Sequence, residues 1–287
     1  MNGFININKP TNITSSDVVV KVRRKLREIT GEKNICVGHL GTLDPAAEGV
    51  LVIAVGTAAR LFDYFLKKRK IYFAEFTFGE STDTLDKDGK IIVSGRLLPS
   101  LPALSDAAKK LTGEVFQVPP QYSAKSIGGV RAYELARRGK TVEIPAKKVV
   151  INDIKILSFD GKKVEVSVNC LGGVYIRSIA RDMAEICGTA GYMSRLKRLS
   201  AGVFDIEDSV NLDSFLNGVN VSLLPLEYAL ADFARLDIDA KYLERIKNGV
   251  RITFADMPEG DFLVYIGGAL FGVGRNEDGK LVLKVRF

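Results

Sequence analysis

Residues 38–51, GHLGTLDPAAEGVL, constrain the fold of this chain more than any other stretch. They contain its only histidine, His39, and an aspartate, Asp44, that is fixed between a leucine and a proline. Because proline fixes its own φ and biases the preceding residue towards extended conformations, we expect Asp44 in a defined loop. The apolar run at 50–55 then predicts a buried strand that ends at Gly56. A stiff turn beside a core strand can present a reactive carboxylate, although most turn aspartates only bind a backbone N–H group.

Length and composition indicate a globular protein with one large and one small domain. The chain has 287 residues, of which 46% are hydrophobic and 26% charged, and no apolar run approaches the length that spans a bilayer. The N-terminal residues alternate between apolar and polar, unlike a secretory signal. With one histidine and three widely spaced cysteines, the sequence predicts no zinc site and a cytoplasmic location in which the thiols stay reduced.

Positive charge is concentrated in the first half of the chain. Residues 1–150 contain 24 Lys and Arg against 15 Asp and Glu, whereas residues 151–287 contain 17 against 19. Such an excess permits a polyanionic partner, because phosphate neutralisation dominates nucleic-acid affinity. Charge alone does not establish that partner, since many basic proteins bind no nucleic acid.

The sequence predicts several helices, and three of them lie near the N-terminus, before residue 113 and after Arg177. In the first, Ser15-Ser16-Asp17 offers an N-cap, and the helix ends near Gly31. Its other face is basic, as either a solvated or an RNA-facing surface would be. A second occupies residues 103–112, and a third follows Arg177. The residues predicted to face the core are Val18, Val22, Leu26 and Ile29 in the first helix and Ile179, Met183 and Ile186 in the third.

Aromatic and β-branched residues predict strands on both sides of a polar turn. Residues 71–79 have the composition of a strand, and Tyr72 lies at its start, directly after the basic run. Tyrosine in a strand is usually a core or interface residue. Residues 81–89 form a polar loop that contains Asp86 and closes on Asp-Gly, which is typical of a hairpin. Two further strands are predicted within 149–168, joined at a second Asp-Gly pair.

The stretch around Asp44 closely resembles the signature of the TruB family of tRNA pseudouridine synthases, in which the aspartate is catalytic. The resemblance covers essentially the whole chain, and its specific motifs lie between residues 38 and 202. Val174 stands where threonine is common in the family. The further motifs, in order, are Lys-x-Tyr at 70–72, Thr-Asp-Thr-x-Asp at 82–86, a loop segment at 119–140, Gly-x-Tyr-Ile-Arg at 173–177 and Leu-x-Arg-Leu at 196–199.

The resemblance implies an α+β fold class, a pseudouridine synthase fold around a mixed, mainly antiparallel sheet. It implies a catalytic domain at residues 1–230, with an RNA-binding loop insertion at about 119–140. The character of the chain changes near residue 230, where short strands separated by Gly-Gly and Asp-Gly turns follow. This part, residues 231–287, resembles the small C-terminal β-barrel (PUA-like) domain of bacterial family members.

The activity that the resemblance implies is the isomerisation of uridine 55, in the TΨC loop of tRNA, to pseudouridine. The uracil leaves its N1 bond to the ribose and reattaches through C5. No redox change occurs, so we expect no cofactor and no metal. The uridine must be flipped out of the folded loop to reach a carboxylate. Asp44 then acts as nucleophile or removes a sugar proton, and the sequence leaves both mechanisms open.

The resemblance also implies which residues form the site. Asp44, Tyr72 and Arg177 are the catalytic set. The role given to Arg177 is to keep the carboxylate ionised and oriented, as a neighbouring cation does. Tyr72 would stack on the base and is a candidate proton donor or acceptor. The residues assigned to substrate binding are His39, which could contact the base or fill the space that it leaves, Tyr72, Asp86 near the flipped nucleotide, and Tyr175 and Leu196, which shape an apolar pocket.

Basic residues outside this set have two possible roles each. Lys9 could contact phosphate or loop backbone, and Arg195, Lys197 and Arg198 could support the core or face RNA. The expected partner is the TΨC stem-loop of tRNA, bound by a monomer that has no membrane association. Two alternatives stay open, namely an RNA chaperone that folds tRNA and whose chemistry is secondary, and the same chemistry on a different uridine.

Overall fold

The computed structural model describes residues 1–123, 126–127, 129–139, 142–218 and 222–287. The predicted RNA-binding insertion at 119–140 is therefore described in part, because residues 124, 125, 128 and 140 lie outside the described residues. Within the described ranges, helices and strands alternate in the irregular order of an α+β protein. No helix in these ranges is both long and apolar enough to cross a membrane.

The described elements include most of the predicted helices and strands. The strands are β1 (Gly3–Lys9), β2 (Val37–His39), β3 (Glu48–Val55), β4 (Lys70–Phe78), β5 (Ser81–Thr82), β6 (Ile91–Val93), β7 (Gly113–Gln117), β8 (Ser126–Ile127), β9 (Val130–Arg131), β10 (Lys147–Phe159), β11 (Lys163–Cys170), β12 (Gly191–Ala201), β13 (Phe204–Asp205), β14 (Val210–Asn211), β15 (Ala234–Ile238), β16 (Asp261–Ile266), β17 (Ala269–Glu277) and β18 (Lys280–Arg286). The α-helices are α1 (Ser15–Thr30), α2 (Phe62–Leu66), α3 (Leu101–Lys110), α4 (Ala132–Arg137), α5 (Ile176–Ile186), α6 (Leu212–Leu216), α7 (Leu226–Ala229) and α8 (Leu243–Lys247). Two 3-10 helices occupy Gly56–Leu61 and Ala240–Tyr242.

Within the described residues, ten strands form one mixed, mainly antiparallel sheet, as predicted. The strand order is β14-β1-β3-β12-β4-β11-β10-β7, with β2 beside β3 and β13 beside β12. Of the pairings within this sheet in the described ranges, β1 with β14 and β3 with β12 are parallel, and the others are antiparallel. Because β12 lies between β3 and β4, three segments that are far apart in the sequence meet at the middle of the sheet.

The main core lies where α1, α3 and α5 pack against the large sheet. The predicted core residues of α1 and α5 are buried, with two exceptions. Ile29 is 62% exposed and Ile186 is 39% exposed, so their assignment to the core was wrong. Each lies on the predicted face but in the last turn of its helix. The last turns of both helices therefore extend beyond the core that covers the earlier turns.

A second sheet, with strand order β15-β16-β17-β18, forms near the C-terminus. Its strands β15 and β16 are parallel, and the other pairs are antiparallel. One of its faces builds a small core of its own around Phe262 and Val264. Leu263, Val273 and Val285 instead join a cluster with residues of β1 and β3. Closure of these strands into a barrel and a domain boundary at residue 230 stay predictions.

Candidate active site

Asp44 and Arg177 form an ion pair at the centre of the candidate site. Asp44 lies in the turn between β2 and β3, where its carbonyl accepts a hydrogen bond from the Ala47 N–H at 3.1 Å. Nη2 of Arg177 is 2.9 Å from Oδ2 of Asp44. The Arg177 side chain is 6% exposed, whereas that of Asp44 is 33% exposed. A buried cation therefore holds a carboxylate that solvent can still reach.

The guanidinium of Arg177 also binds a second carboxylate, that of Asp86. Nη1 of Arg177 lies 3.3 Å from Oδ2 of Asp86 and donates to the Thr84 carbonyl at 3.1 Å. Nη2 donates to the Tyr122 carbonyl at 3.0 Å. Burial raises the pKa of Asp86, and the hydrogen bond from Thr84 and the charge of Arg177 oppose this shift. Asp86 is thus paired with Arg177. The contact of Asp86 with a nucleotide stays a prediction.

Two buried cations hold the backbone of the loop that carries Asp44. Nζ of Lys9 donates to the Ala47 carbonyl at 2.7 Å, and burial lowers the pKa of Lys9 to about 8. Arg198 donates from Nε to the Val50 carbonyl at 2.6 Å and from Nη2 to the Gly41 carbonyl at 2.9 Å. Lys9 therefore contacts loop backbone, which is one of the two roles predicted for it. Arg198 is buried and supports the core, which is one of the two roles predicted for it.

Strand alternation was the signal that could have assigned Arg198 to the core. In β12, Leu196, Arg198 and Ser200 are buried and alternate with less buried neighbours. Successive side chains of a strand point to opposite faces. An arginine two residues after a predicted pocket leucine therefore shares its face, which is the face of the candidate site.

Strands β4 and β12 bring Tyr72 and Leu196 into the same part of the core. Tyr72 lies opposite Arg198 in this ladder, and both Tyr72 and Leu196 belong to the cluster that contains Leu43, the residue before Asp44. Tyr72 is 7% exposed. Burial raises its pKa, and the charge of Arg198 opposes this shift. The phenol is therefore protonated at neutral pH.

Tyr175 lies directly before α5, and a buried glutamine holds its main chain. Gln117 accepts from the Tyr175 N–H through Oε1 at 2.8 Å and donates to the Tyr175 carbonyl through Nε2 at 3.2 Å. Burial raises the pKa of the Tyr175 phenol. Because Arg177 follows two residues later, these hydrogen bonds fix the start of the helix that carries it. No motif or spacing had singled out Gln117.

His39 lies at the end of β2, on the same loop as Asp44. Its side chain is half-buried, and Nδ1 has no hydrogen-bond partner among the described residues. Burial lowers the pKa of this imidazole, and the charge of Arg198 lowers it further. The ring is therefore neutral at pH 7. Within the described ranges, no three His, Cys, Asp or Glu side chains are grouped so as to hold a metal ion.

Three comparisons relate the chain to known proteins. A family model described as TruB family pseudouridylate synthase (N terminal domain) matches residues 27–176. The tRNA pseudouridine synthase B of Clostridium kluyveri is 39% identical over 286 residues, which cover 97% of this chain and 96% of that protein. The protein of the same name from Novosphingobium aromaticivorans is 37% identical and covers 98% of this chain and 95% of that protein.

The fold also matches solved structures. A chain from the structure of an H/ACA RNP bound to a substrate RNA containing 2′-deoxyuridine aligns with a TM-score of 0.71. The alignment covers 99% of this chain and 84% of that chain at 20% sequence identity. This likeness confirms the predicted α+β pseudouridine synthase fold.

Proposed function

This chain belongs to the TruB family of pseudouridine synthases and is a tRNA-modifying isomerase, and we propose that its target is uridine 55 in the TΨC loop of tRNA. The relatives named tRNA pseudouridine synthase B align over nearly their whole length. The observation that carries the proposed mechanism is the 2.9 Å ion pair between the accessible Asp44 carboxylate and the buried Arg177. A reactive carboxylate needs both an orienting partner and a free side from which the substrate approaches.

The proposed reaction moves one bond of the nucleotide without redox change. The C1′–N1 bond breaks, the uracil turns, and a C1′–C5 bond forms. The proton on C5 then leaves, and N1 ends with a proton. In one route the Asp44 carboxylate bonds to C1′ as N1 leaves and is displaced from C1′ when C5 attaches, and in the other it removes a sugar proton as N1 leaves and returns it when the C1′–C5 bond forms. Both routes use the same ion pair with Arg177. Arg177 orients the carboxylate and balances its charge while the bonds rearrange.

The base side of the proposed site is apolar apart from the hydroxyls of its two tyrosines. Flipping the uridine brings its base into a pocket lined by Tyr72, Tyr175 and Leu196. The Tyr72 ring would stack on the uracil, a contact that contributes about 1–3 kcal/mol per base. Its hydroxyl is a candidate proton donor or acceptor at the base. The neutral His39 would contact the base or fill the space that it vacates.

The proposed partner is tRNA, bound through its TΨC stem-loop. The TΨC stem-loop would bind across the Asp44 loop and the insertion at 119–140. The basic excess of residues 1–150 supports a polyanionic ligand on this part of the chain. We further propose a monomer that acts in the cytoplasm.

The deciding experiment is incubation of the purified protein with an unmodified tRNA transcript and no additive. Pseudouridine is then located by carbodiimide mapping. We expect modification at position 55 by the wild type and none by Asp44→Asn, which keeps the shape of the side chain but loses its charge. Transcript affinity should stay within about threefold, since RNA affinity comes mainly from cations that neutralise phosphate. Asp88→Asn, an exposed carboxylate in the Asp86 loop, is the matched control and should stay active.

Each contrary result identifies a different error. Pseudouridine formed by Asp44→Asn would remove Asp44 from the chemistry. Modification at another uridine would refute the choice of position 55 and leave the isomerase activity standing. A wild type that binds and refolds tRNA yet forms no pseudouridine would favour the chaperone alternative.

A further inference from the structure

The hydroxyl of Ser15 forms two hydrogen bonds with the residue that precedes Asp44. Oγ of Ser15 accepts from the Leu43 N–H at 2.8 Å and donates to the Leu43 carbonyl at 2.8 Å. Ser15 and Leu43 are each 3% exposed, so water does not compete for these bonds. One side-chain atom therefore satisfies both main-chain polar groups of Leu43.

These two hydrogen bonds fix the backbone immediately before Asp44. The Leu43 N–H belongs to the peptide plane that enters Leu43, and the Leu43 carbonyl belongs to the plane that enters Asp44. On the other side, Pro45 restricts the conformation of Asp44, and the Pro45 carbonyl accepts from the Asn12 N–H at 2.8 Å. The direction of the Asp44 side chain is thus constrained from both of its neighbours.

The helix that Ser15 begins does not need this hydroxyl. Thr14 caps α1, because its Oγ1 accepts from the Asp17 N–H at 3.0 Å. The Asp17 carboxylate in return accepts from the Thr14 N–H at 3.2 Å, which completes a capping box. The next serine, Ser16, is exposed. The Ser15 hydroxyl therefore serves the Asp44 loop, and the packed helix α1 supplies its rigid support.

We propose that Ser15 is a positioning residue that sets the direction of the Asp44 carboxylate towards the sugar of the flipped nucleotide. The inference rests on the catalytic role proposed for Asp44. Ser15 is buried beneath the loop, so it contributes to the geometry of the reaction rather than to the binding of RNA. A displacement of about 1 Å at a reacting group can lower a rate by about 100-fold.

The test measures the single-turnover rate constant and the tRNA dissociation constant separately. Variants are compared at a temperature at which circular dichroism shows every one of them folded. We expect Ser15→Ala to lower the rate constant by about 10- to 100-fold while tRNA affinity changes less than twofold. Ser15→Thr keeps the hydroxyl and should recover the rate to within about threefold of the wild type. Ser16→Ala, the exposed neighbour, should match the wild type.

Several outcomes would overturn the proposal. They are a Ser15→Ala rate within twofold of the wild type, equal losses of rate and affinity, and equally slow Ala and Thr variants. If Ser15→Ala does not fold, Ser15→Cys supplies a weaker hydrogen-bonding group at the same position and should give a rate constant below that of Ser15→Thr with unchanged tRNA affinity, and a Cys rate within twofold of the wild type would overturn the proposal. A wild type that forms no pseudouridine would refute the proposed function, whereas an active wild type matched by Ser15→Ala would refute this inference alone.

Discussion

Arg177 contacts four other residues of the candidate site through its guanidinium. Its guanidinium meets the carboxylates of Asp44 and Asp86 and the carbonyls of Thr84 and Tyr122. A guanidinium presents five N–H donors in a rigid plane, whereas an ammonium is a point charge on a flexible stem. The direction of the Arg177–Asp44 contact therefore depends on the other three partners, among which Asp86 carries the second negative charge.

Substitution of Asp86 should slow the reaction without weakening RNA binding. Asp86→Asn keeps the shape of the side chain but removes the charge that holds Nη1 of Arg177. A charge-assisted hydrogen bond contributes about 1.5–3 kcal/mol, so the single-turnover rate constant should fall by about 10- to 100-fold. The tRNA dissociation constant, measured by filter binding, should change less than twofold. Asp88→Asn, which removes an exposed charge two residues away, is the control.

A different outcome would assign Asp86 to the substrate. If Asp86→Asn weakened tRNA binding as much as it lowered the rate, the carboxylate would contact the nucleotide directly, as the sequence first suggested. If neither quantity changed, Arg177 would be fixed well enough by its two carbonyl partners and Asp44.

At the scale of elements, hydrophobic periodicity predicted the helices and strands, but it did not predict at which residue of a helix the contact with the core ends. The residues predicted to be buried are buried as far as Leu26 in α1 and as far as Met183 in α5. The prediction that Ile29 and Ile186 are buried was wrong, because the spacing of apolar residues indicates which side of a helix faces the core but not how far along the helix the core extends. The Asp-Gly turn between β10 and β11 was predicted correctly, since turn chemistry is local.

The supporting contacts of the site could not be predicted, because they join distant parts of the chain. Arg198 and its partner Val50 are separated by 148 positions, and Gln117 and Tyr175 by 58. Such pairs depend on the strand order, which places β12 beside β3 and α5 beside the end of β7. The motifs identified Asp44 and Arg177, and the sequence named Lys9 and Arg198 with two possible roles each, whereas the contacts of Gln117 and Ser15 are seen only in the folded chain.

Two glutamines make the same kind of main-chain clamp at different elements, and their loss should have different effects. Gln117 holds Tyr175 before α5, and Gln121 holds Val142 after the insertion, with hydrogen bonds of 2.8 and 3.2 Å in each case. Gln117→Ala should lower the single-turnover rate constant by about tenfold, because the start of the helix that carries Arg177 loses two buried partners. Gln121→Ala should mainly weaken tRNA binding, since it loosens the proposed RNA-binding insertion.

The two variants serve as controls for each other, because each loses the same chemical group. Equilibrium binding and single-turnover kinetics on the same tRNA transcript separate the two effects. A common loss of affinity and rate in both variants would contradict the division of roles between α5 and the insertion.

At the scale of the whole molecule, the C-terminal sheet shares a core with the part of the chain that carries the site. Val273 and Val285 of this sheet belong to the same buried cluster as Phe4, Val50 and Phe65. Polar contacts between the two parts include those from Lys68 to Asp232 and from Arg60 to the carbonyl of Arg286. Burial of apolar surface is the main stabilising contribution to folding, so the two sheets stabilise each other through this cluster.

Buried lysines couple the stability of the whole fold to pH. Nζ of Lys70 donates to the carbonyls of Phe65 and Lys68 and has no carboxylate partner among the described residues. Burial, with a smaller contribution from the charge of Arg198, lowers the pKa of Lys70 from 10.5 to about 8. Between these two pH values the unfolded chain binds more protons at Lys70 than the folded chain does. The free energy of unfolding should therefore rise with pH through this window.

Replacing Lys70 should remove this part of the pH dependence. For the wild type, the lowered pKa contributes up to about 3 kcal/mol to the rise in the free energy of unfolding between pH 7.5 and pH 10. Lys70→Met lacks the group, so its change over the same range should be smaller by that amount when both are measured by urea denaturation. Lys67→Met, an exposed lysine of the same basic run, should follow the wild type. Equal pH dependence in Lys70→Met and the wild type would mean that Lys70 keeps its proton in the folded chain, and its two carbonyl partners would then suffice to hold a buried charge.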